Sequence, residues 1–435
     1  MNNMCWNLFS IAIIISEPGC PFIMTYKQCA SFRPFSFLFI IVILISSCSG
    51  GDKSAQPKID ATQLFQNALL TATYAVPTRT PEPTKTSTIT LPPSTPTAVK
   101  TPPPLPIQFQ SSLLNPLDTP QTYINDSCRI IRDRWNPNNS LPGTVVMPIM
   151  FHSITNGQVT QQNQITHETA VQLLRDLKQQ GFEAINMQQF VAFLYNNSRI
   201  PQRSVLLIVD DRHFRDYYDT HFQPALKDNK WTVINAWISL PDSIGEQILA
   251  GNIQLENEGF VDHQAHGVVH NVPVENWKPG MQLNVPFYGN ITAVDFIKKE
   301  LSGSMETIQR LFSKRPLAYI WPGGGFSPLA TQLAVQIGYY VGFTVNPRGP
   351  VMYNWVPLAD KVDPNRPSYA PEGPVGYPLM VIPRYWDTDA VKYIDTVRQI
   401  GKEAAAYAEQ NKLLELEYYD IVCKAAYGEI PALNR

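Results

Sequence analysis

The 435-residue chain has no surplus of positive charge: 34 Lys and Arg stand against 36 Asp and Glu, a formal net charge of -2. Wrapping a phosphate backbone requires a basic surface, so general nucleic-acid binding is excluded as a main activity. No apolar run reaches the roughly 18–20 residues of a spanning helix, which rules out a polytopic membrane protein. No G-x-S-x-G occurs, which argues against a serine hydrolase of the nucleophile-elbow type. The triple glycine Gly323–Gly325 lacks the spacing and following Lys of a phosphate loop. Cysteine is scarce, at 6, and no histidine follows His270. What is present is apolar side chain, 44% of residues with 11% aromatic, ample for a large packed core.

The 38 prolines are unevenly spread. Of the 30 residues Pro77 to Pro106, 10 are Pro, 9 Thr and 2 Ser, a composition expected to form an extended, semi-rigid spacer rather than a core. Upstream, Lys27 and Arg33 precede an apolar run, Phe35 to Ile45, and then Ser46-Ser47-Cys48, the plan of a secretory signal. Its ending resembles the bacterial lipobox, which implies lipid on Cys48 and an extracytoplasmic protein anchored to a bacterial membrane. An uncleaved anchor is the alternative. Met24 is a plausible true start, because a second short apolar stretch lies before it. The expected organisation is therefore 1–48 signal region, 49–110 Pro/Thr-rich linker, and 111–435 one catalytic-type domain ending in a helix. Beyond Cys48 only Cys128 and Cys423 remain, and a bridge and two buried thiols are both open.

From Gly143 on, short β-branched runs alternate with helical spacings. Strands are expected at Val145–Phe151, Ser204–Val209, Trp231–Ile238, Leu317–Ile320, Tyr340–Thr344 and Met380–Ile382, with a helix through Val171, Leu174 and Leu177. Strands alternating with helices imply a parallel sheet, and this many repeats favour a distorted (β/α) barrel. Chemistry in such barrels gathers at the C-terminal strand ends. Two clusters fall there. Asp210-Asp211 ends an apolar strand, where paired carboxylates require a cation or hydrogen bonds. His266-Gly267-Val268-Val269-His270 brings two imidazoles to one side of a turn. Together they point to a metal held by one carboxylate and two imidazoles, with positions left for water and substrate.

These motifs, in this order over Val145 to Val397, resemble the carbohydrate esterase family 4, or NodB-type polysaccharide deacetylases. Ile208-Val209-Asp210-Asp211 looks like the family's T-F-D-D, His266 to His270 like its H-[ST]-x-x-H, Trp321-Pro322-Gly323-Gly324 like its Y-P-Y-G loop, and Ile382-Pro383-Arg384 like a late I-P-R strand. Met147-Pro148-Ile149-Met150-Phe151-His152 resembles the opening of the exopolysaccharide poly-N-acetylglucosamine deacetylase branch. The resemblance implies Asp210 as general base, Asp211, His266 and His270 as metal ligands, His152 as general acid and Arg384 as the residue orienting Asp210. It also implies that Trp321, Pro322, Gly323 and Gly324 line the groove and supply an oxyanion donor. The implied reaction is N-deacetylation of an amino-sugar polysaccharide. Zinc is the first expectation for the metal, with cobalt, nickel or iron admitted by the same ligands.

Three positions depart from the pattern. Arg212 replaces a Gly and could pair with a carboxylate or block the groove; Gly267 replaces the hydroxyl residue that braces the metal loop; Val209 replaces a Thr. They keep open a second reading, a catalytically impaired surface lipoprotein that binds glycans. Among the other histidines, His263 is expected packed or on the surface, His167 and His221 solvated, and His213 at the site mouth or on a loop. Trp321, Tyr385 and Trp386 could stack on sugars or sit in the core. The sequence does not specify the oligomeric state.

Overall fold

Long uninterrupted apolar stretches, rather than alternating ones, mark strands covered on both faces, as parallel sheets require. The computed structural model describes residues 100–223, 228–270 and 274–431. The expectations for the signal region, Cys48 and most of the spacer lie outside the described residues. Eight strands form the central sheet: β1 Val145–Phe151, β2 Glu183–Ala184, β3 Arg203–Asp210, β4 Val233–Trp237, β5 Val261–Ala265, β6 Ala318–Ile320, β7 Val341–Phe343 and β8 Tyr385–Trp386. All seven residues of β1 are buried, and so are the last seven of β3.

The sheet runs β7-β6-β5-β4-β3-β1-β8, with every pairing parallel. Along β3 the lower residues Ser204 and Val205 pair with β2 and the upper residues Leu207 to Asp210 with β4. A single segment closes the ring. Ile382 bridges to Phe343 beside β7, its amide 2.8 Å from Gly342 O, while Tyr385 and Trp386 pair with Ile149 and Met150 of β1. The expected distorted (β/α) barrel is thus present.

Its last strand lies later than the expected Met380–Ile382. Pro378–Met380 forms a 3-10 turn instead, and Pro383 has no amide to donate, so regular pairing begins only at Tyr385.

Helices cover the outside. α1 is Ser127–Trp135, α2 His167–Gln179, α3 Met187–Asn196, α4 Arg215–His221, α5 Ser243–Asn257, α6 Ala293–Phe312, α7 Pro328–Ile337 and α8 Ile394–Tyr418. The helix expected through Val171, Leu174 and Leu177 is α2, and its buried stripe is Ala170, Leu173, Leu174 and Leu177. Short polar caps start several of them: Thr166 accepts the Thr169 amide for α2, and Asp242 accepts that of Gly245 for α5. An antiparallel hairpin, Gln282–Val285 with Gly289–Thr292, is inserted between β5 and α6.

Cys128 of α1 and Cys423, beyond α8, are bridged across a sequence separation of 295. The bridge pins the start of the domain to its last helical segment, and Trp135 Nε1 adds a 2.7 Å hydrogen bond to buried Glu415.

An extended strap, residues 100–111, runs along α8. Lys100 pairs with Glu417 at 2.6 Å, Tyr407 donates to Ile107 O at 2.7 Å and Trp355 Nε1 to Phe109 O at 3.0 Å. Between the strap and the loop Leu141–Thr144 that enters β1 lies a cavity of about 260 Å³. Among the described residues no helix is long and apolar enough to cross a membrane.

Candidate metal centre

The top of the barrel, where the strands end, collects the polar groups. β3 delivers Asp210 still in register with Ala236, so its side chain stays inside, 2% exposed. The chain then turns through a left-handed residue, Asp211 at φ 69, and the next carboxylate emerges at the mouth, 42% exposed. One strand end therefore presents two acids to different surroundings. Past β5, His266 remains tied to the sheet by its amide, 3.0 Å from Trp237 O. Gly267 at φ 78 and His270 at φ 45 then curl the loop back over it. Two left-handed turns in four residues bring the two rings to 4.7 Å between centroids.

Asp211 Oδ1 lies 3.5 Å from His270 Nε2 and 3.9 Å from His266 Nε2. The three ligand atoms lie within 4.8 Å of one another, the only such group among the described residues. The residues fit a divalent ion. His266 Nδ1 lies 2.8 Å from Ile320 O, an acceptor only, so Nδ1 carries the proton and Nε2 offers its lone pair. Burial, with the neighbouring His266 ring, brings the His270 imidazole down to about 4, which keeps it neutral and able to ligate at pH 7. Two imidazoles and one carboxylate are a common open zinc set.

Arg384 enters from the closing segment between Ile382 and β8. It is fully buried and grips Asp210 with both ends of its fork, Nη1 to Oδ1 at 2.6 Å and Nη2 to Oδ2 at 2.9 Å, while Nε donates to Thr344 O at 2.7 Å. Burial alone would raise the Asp210 carboxyl; Arg384, with His152 and His266 behind it, outweighs burial and holds it well below the usual carboxylate range. His152, the first residue after β1, places Nε2 3.5 Å from Asp210 Oδ2. Its ring stacks on Trp386 at 5.5 Å, and burial lowers its pKa. The structure thus gathers Asp210, Asp211, His266, His270, His152 and Arg384 in one place.

The turn after β6 is more divided. Trp321 is buried, its Nε1 donating to Met380 O at 2.7 Å, so the indole is core rather than groove wall. Tyr385 is buried too, and Trp386 Nε1 is held by Val345 O at 3.0 Å. The Gly324 and Gly325 amides are used within the turn, at 2.8 and 3.1 Å from Trp321 O and Pro322 O. Gly323, at φ 60 after Pro322, holds the turn's remaining amide at an exposed position.

Arg212 resolves its fork. It forms a two-pronged pair with Asp242, at 3.0 and 2.7 Å, and donates to Leu240 O at 3.0 Å. Its charge thereby closes the start of α5. His263 is packed as expected, fully buried between Glu256 at 2.8 Å and Asn252 at 3.0 Å. His213 hydrogen-bonds Asp210 O at 3.0 Å and stacks on Tyr217. The expectation for His167 and His221 fails. His221 is 5% exposed and the two Nδ1 atoms are 2.9 Å apart, because α4 turns its polar inner face onto the start of α2.

Two acidic residues were missed. Glu300 of α6, 6% exposed, lies under the metal loop. Asp387, immediately after β8, is 2% exposed; Oδ1 accepts the Thr388 amide at 2.8 Å, and burial pushes the carboxyl up to about 7. A carboxyl whose folded pKa exceeds its unfolded one contributes stability that is complete below about 4 and lost as pH rises through about 7. Asp387→Asn should therefore gain on the wild type as pH rises from about 4 to about 7 and keep that gain above it, by up to about 4 kcal/mol in all. Paired denaturant titrations would measure it, and a pH-independent difference would refute it.

No protein-family model and no curated protein matches the chain. Several solved structures follow a similar backbone path. The deacetylase PplD of Streptococcus pyogenes, in complex with acetate, is 16% identical with a TM-score of 0.44, covering 59% of this chain and 99% of that one. IcaB from Ammonifex degensii is 15% identical with a TM-score of 0.41, over 60% and 99%. The deacetylase domain of BpsB from Bordetella bronchiseptica is 18% identical with a TM-score of 0.39, over 56% and 96%. Likeness at this level carries no argument about chemistry, which rests on the side chains at the barrel mouth.

Proposed function

We propose that this protein is a metal-dependent hydrolase that removes N-acetyl groups from an amino-sugar polysaccharide of the cell wall or an exopolysaccharide. We further propose that lipid on Cys48 holds it at the outer face of a bacterial membrane. The observation that carries the enzymatic reading is the adjacency of two unlike carboxylates. Asp211 converges with His266 and His270 on one point, while Asp210 is kept ionised beside them by Arg384 and faces His152.

A divalent ion bound by Asp211, His266 and His270, zinc first by donor type, would supply Lewis acidity toward water and the amide oxygen. Asp210, oriented by the Arg384 fork, accepts the proton of the attacking water. That proton, passed from Asp210 to His152 across their 3.5 Å separation, goes to the departing nitrogen as the C–N bond breaks, so that acetate and a free amine leave. The Gly323 amide donates to the oxygen that becomes negative in the tetrahedral intermediate.

The impaired, glycan-binding reading drew on Arg212, Gly267 and Val209, of which Val209 is simply packed in the core. Arg212 is engaged with Asp242 and Gly267 is backed by a buried carboxylate, so these two no longer favour it. Acetate release from N-acetylglucosamine oligomers by the purified full-length protein tests the proposal. Turnover should require added zinc or cobalt and stop with chelator. Oligomer binding without acetate under any metal would instead support the binding protein.

A further inference from the structure

The loop carrying the two metal-ligating histidines has a packing problem that the chain answers at a distance. Its amides at Val268 and Val269 point inward under the loop, and Val268 is buried. Buried amides left unpaired are costly. Gly267 offers no hydroxyl to help. Glu300 does. Its Oε2 accepts the Val268 amide at 2.9 Å, and both carboxylate oxygens accept the Val269 amide, at 3.1 and 3.0 Å. The carboxylate is itself fixed from the other side by the Tyr288 hydroxyl, 3.0 Å from Oε1, in the inserted hairpin.

Gly267 is the condition for this arrangement. A Cβ there would stand 2.8 Å from Glu300 Oε2 and 3.1 Å from the Tyr319 hydroxyl, and the residue sits at φ 78. A side chain at 267 and the carboxylate from α6 compete for one space, and this chain has the second. Glu300 is also an anomaly on its helix: it shares the buried face with Phe296, Ile297, Leu301 and Ser304. A carboxylate on an apolar helix face, spent on the amides of one loop and on the hydroxyl that steadies it, has a local task.

We propose that Glu300 is a positioning residue that fixes the His266–His270 loop in its ligating shape, with Tyr288 as its support. It rests on the reading of Asp211, His266 and His270 as a metal site, and the test separates the two. Outer partners that orient ligands typically contribute 10–100-fold to metal affinity. Cobalt(II) binding to the full-length protein, followed by the visible absorption of the bound ion and by chelator competition, should weaken by roughly that factor in Glu300→Gln. Glu300 has two acceptor oxygens where the variant has one, so the band should also change shape. Tyr288→Phe removes only the support and should fall between wild type and Glu300→Gln. It also serves if the Glu300 variants do not fold. Gly267→Ser, which restores a hydroxyl but displaces the carboxylate, should weaken binding as well.

Failure to bind cobalt by the wild type would refute the metal site itself. Normal wild-type binding with unchanged affinity and spectrum in folded Glu300→Gln, or in Tyr288→Phe where Glu300→Gln does not fold, would refute the brace alone. Tighter binding in Gly267→Ser would refute it too.

Discussion

Replacing His270 by alanine is expected to cost the protein its metal and its turnover together, whereas Asp210→Asn, one residue from the ligand Asp211, should keep the metal and lose the reaction. The difference follows from where the side chains stand. His270 Nε2 is 3.5 Å from Asp211 Oδ1, and with one of three protein donors removed too few remain to hold an ion against water. The loss should exceed the 10–100-fold typical of an outer partner. Asp210 lies behind the ligands, paired with Arg384, and its amide replacement should depress turnover by roughly the 10² to 10⁴ of one acid-base group. Metal content and acetate release on the same preparations check both. Loss of metal in Asp210→Asn, or retention in His270→Ala, would reverse the assignment.

The second large effect concerns stability. Arg384→Met should destabilise the protein by about 3–5 kcal/mol, because it leaves a carboxylate 2% exposed with its partner gone. The pair as a whole is worth far less than that loss, since burying both charges was itself costly. The double variant Asp210→Asn, Arg384→Met should therefore recover much of the stability while remaining inactive. Denaturant midpoints of the four proteins form the cycle that isolates the pair. A single Arg384→Met within about 1 kcal/mol of wild type would contradict this accounting.

The barrel was legible because its strands are buried on both faces and so appear as apolar runs, each ending where a polar residue begins. That pattern put Asp210 and Asp211 at a strand end, where they lie, whereas His152 was marked only by the resemblance of Met147–His152 to a family opening. The pattern fails at the closing segment: Met380–Ile382 has the composition of a strand, but Pro378–Met380 forms a 3-10 turn and pairing starts at Tyr385, although Pro148 sits inside β1 without breaking it. Partners far apart in the chain were also hidden. Arg212 meets Asp242 only because β3 and β4 end side by side, a matter of register rather than of local composition. Glu300 had a signal that went unused, an acid in the apolar stripe of α6, and the glycine at 267 was its counterpart. His221 looked solvated because polar residues surround it in sequence; the helix it sits on faces inward.

The strap along α8 bears on handling as well as on fold. It meets the barrel beside Leu141–Thr144, where β1 begins, and β1 then runs seven residues, about 20 Å, before His152 opens the mouth. Lys100 itself, paired with Glu417, therefore lies on the floor side of the barrel, and a load applied through it falls on the floor and not on the rim. A bead or a sensor chip coupled on the floor side leaves the mouth, with Asp211 and His270, turned to solution.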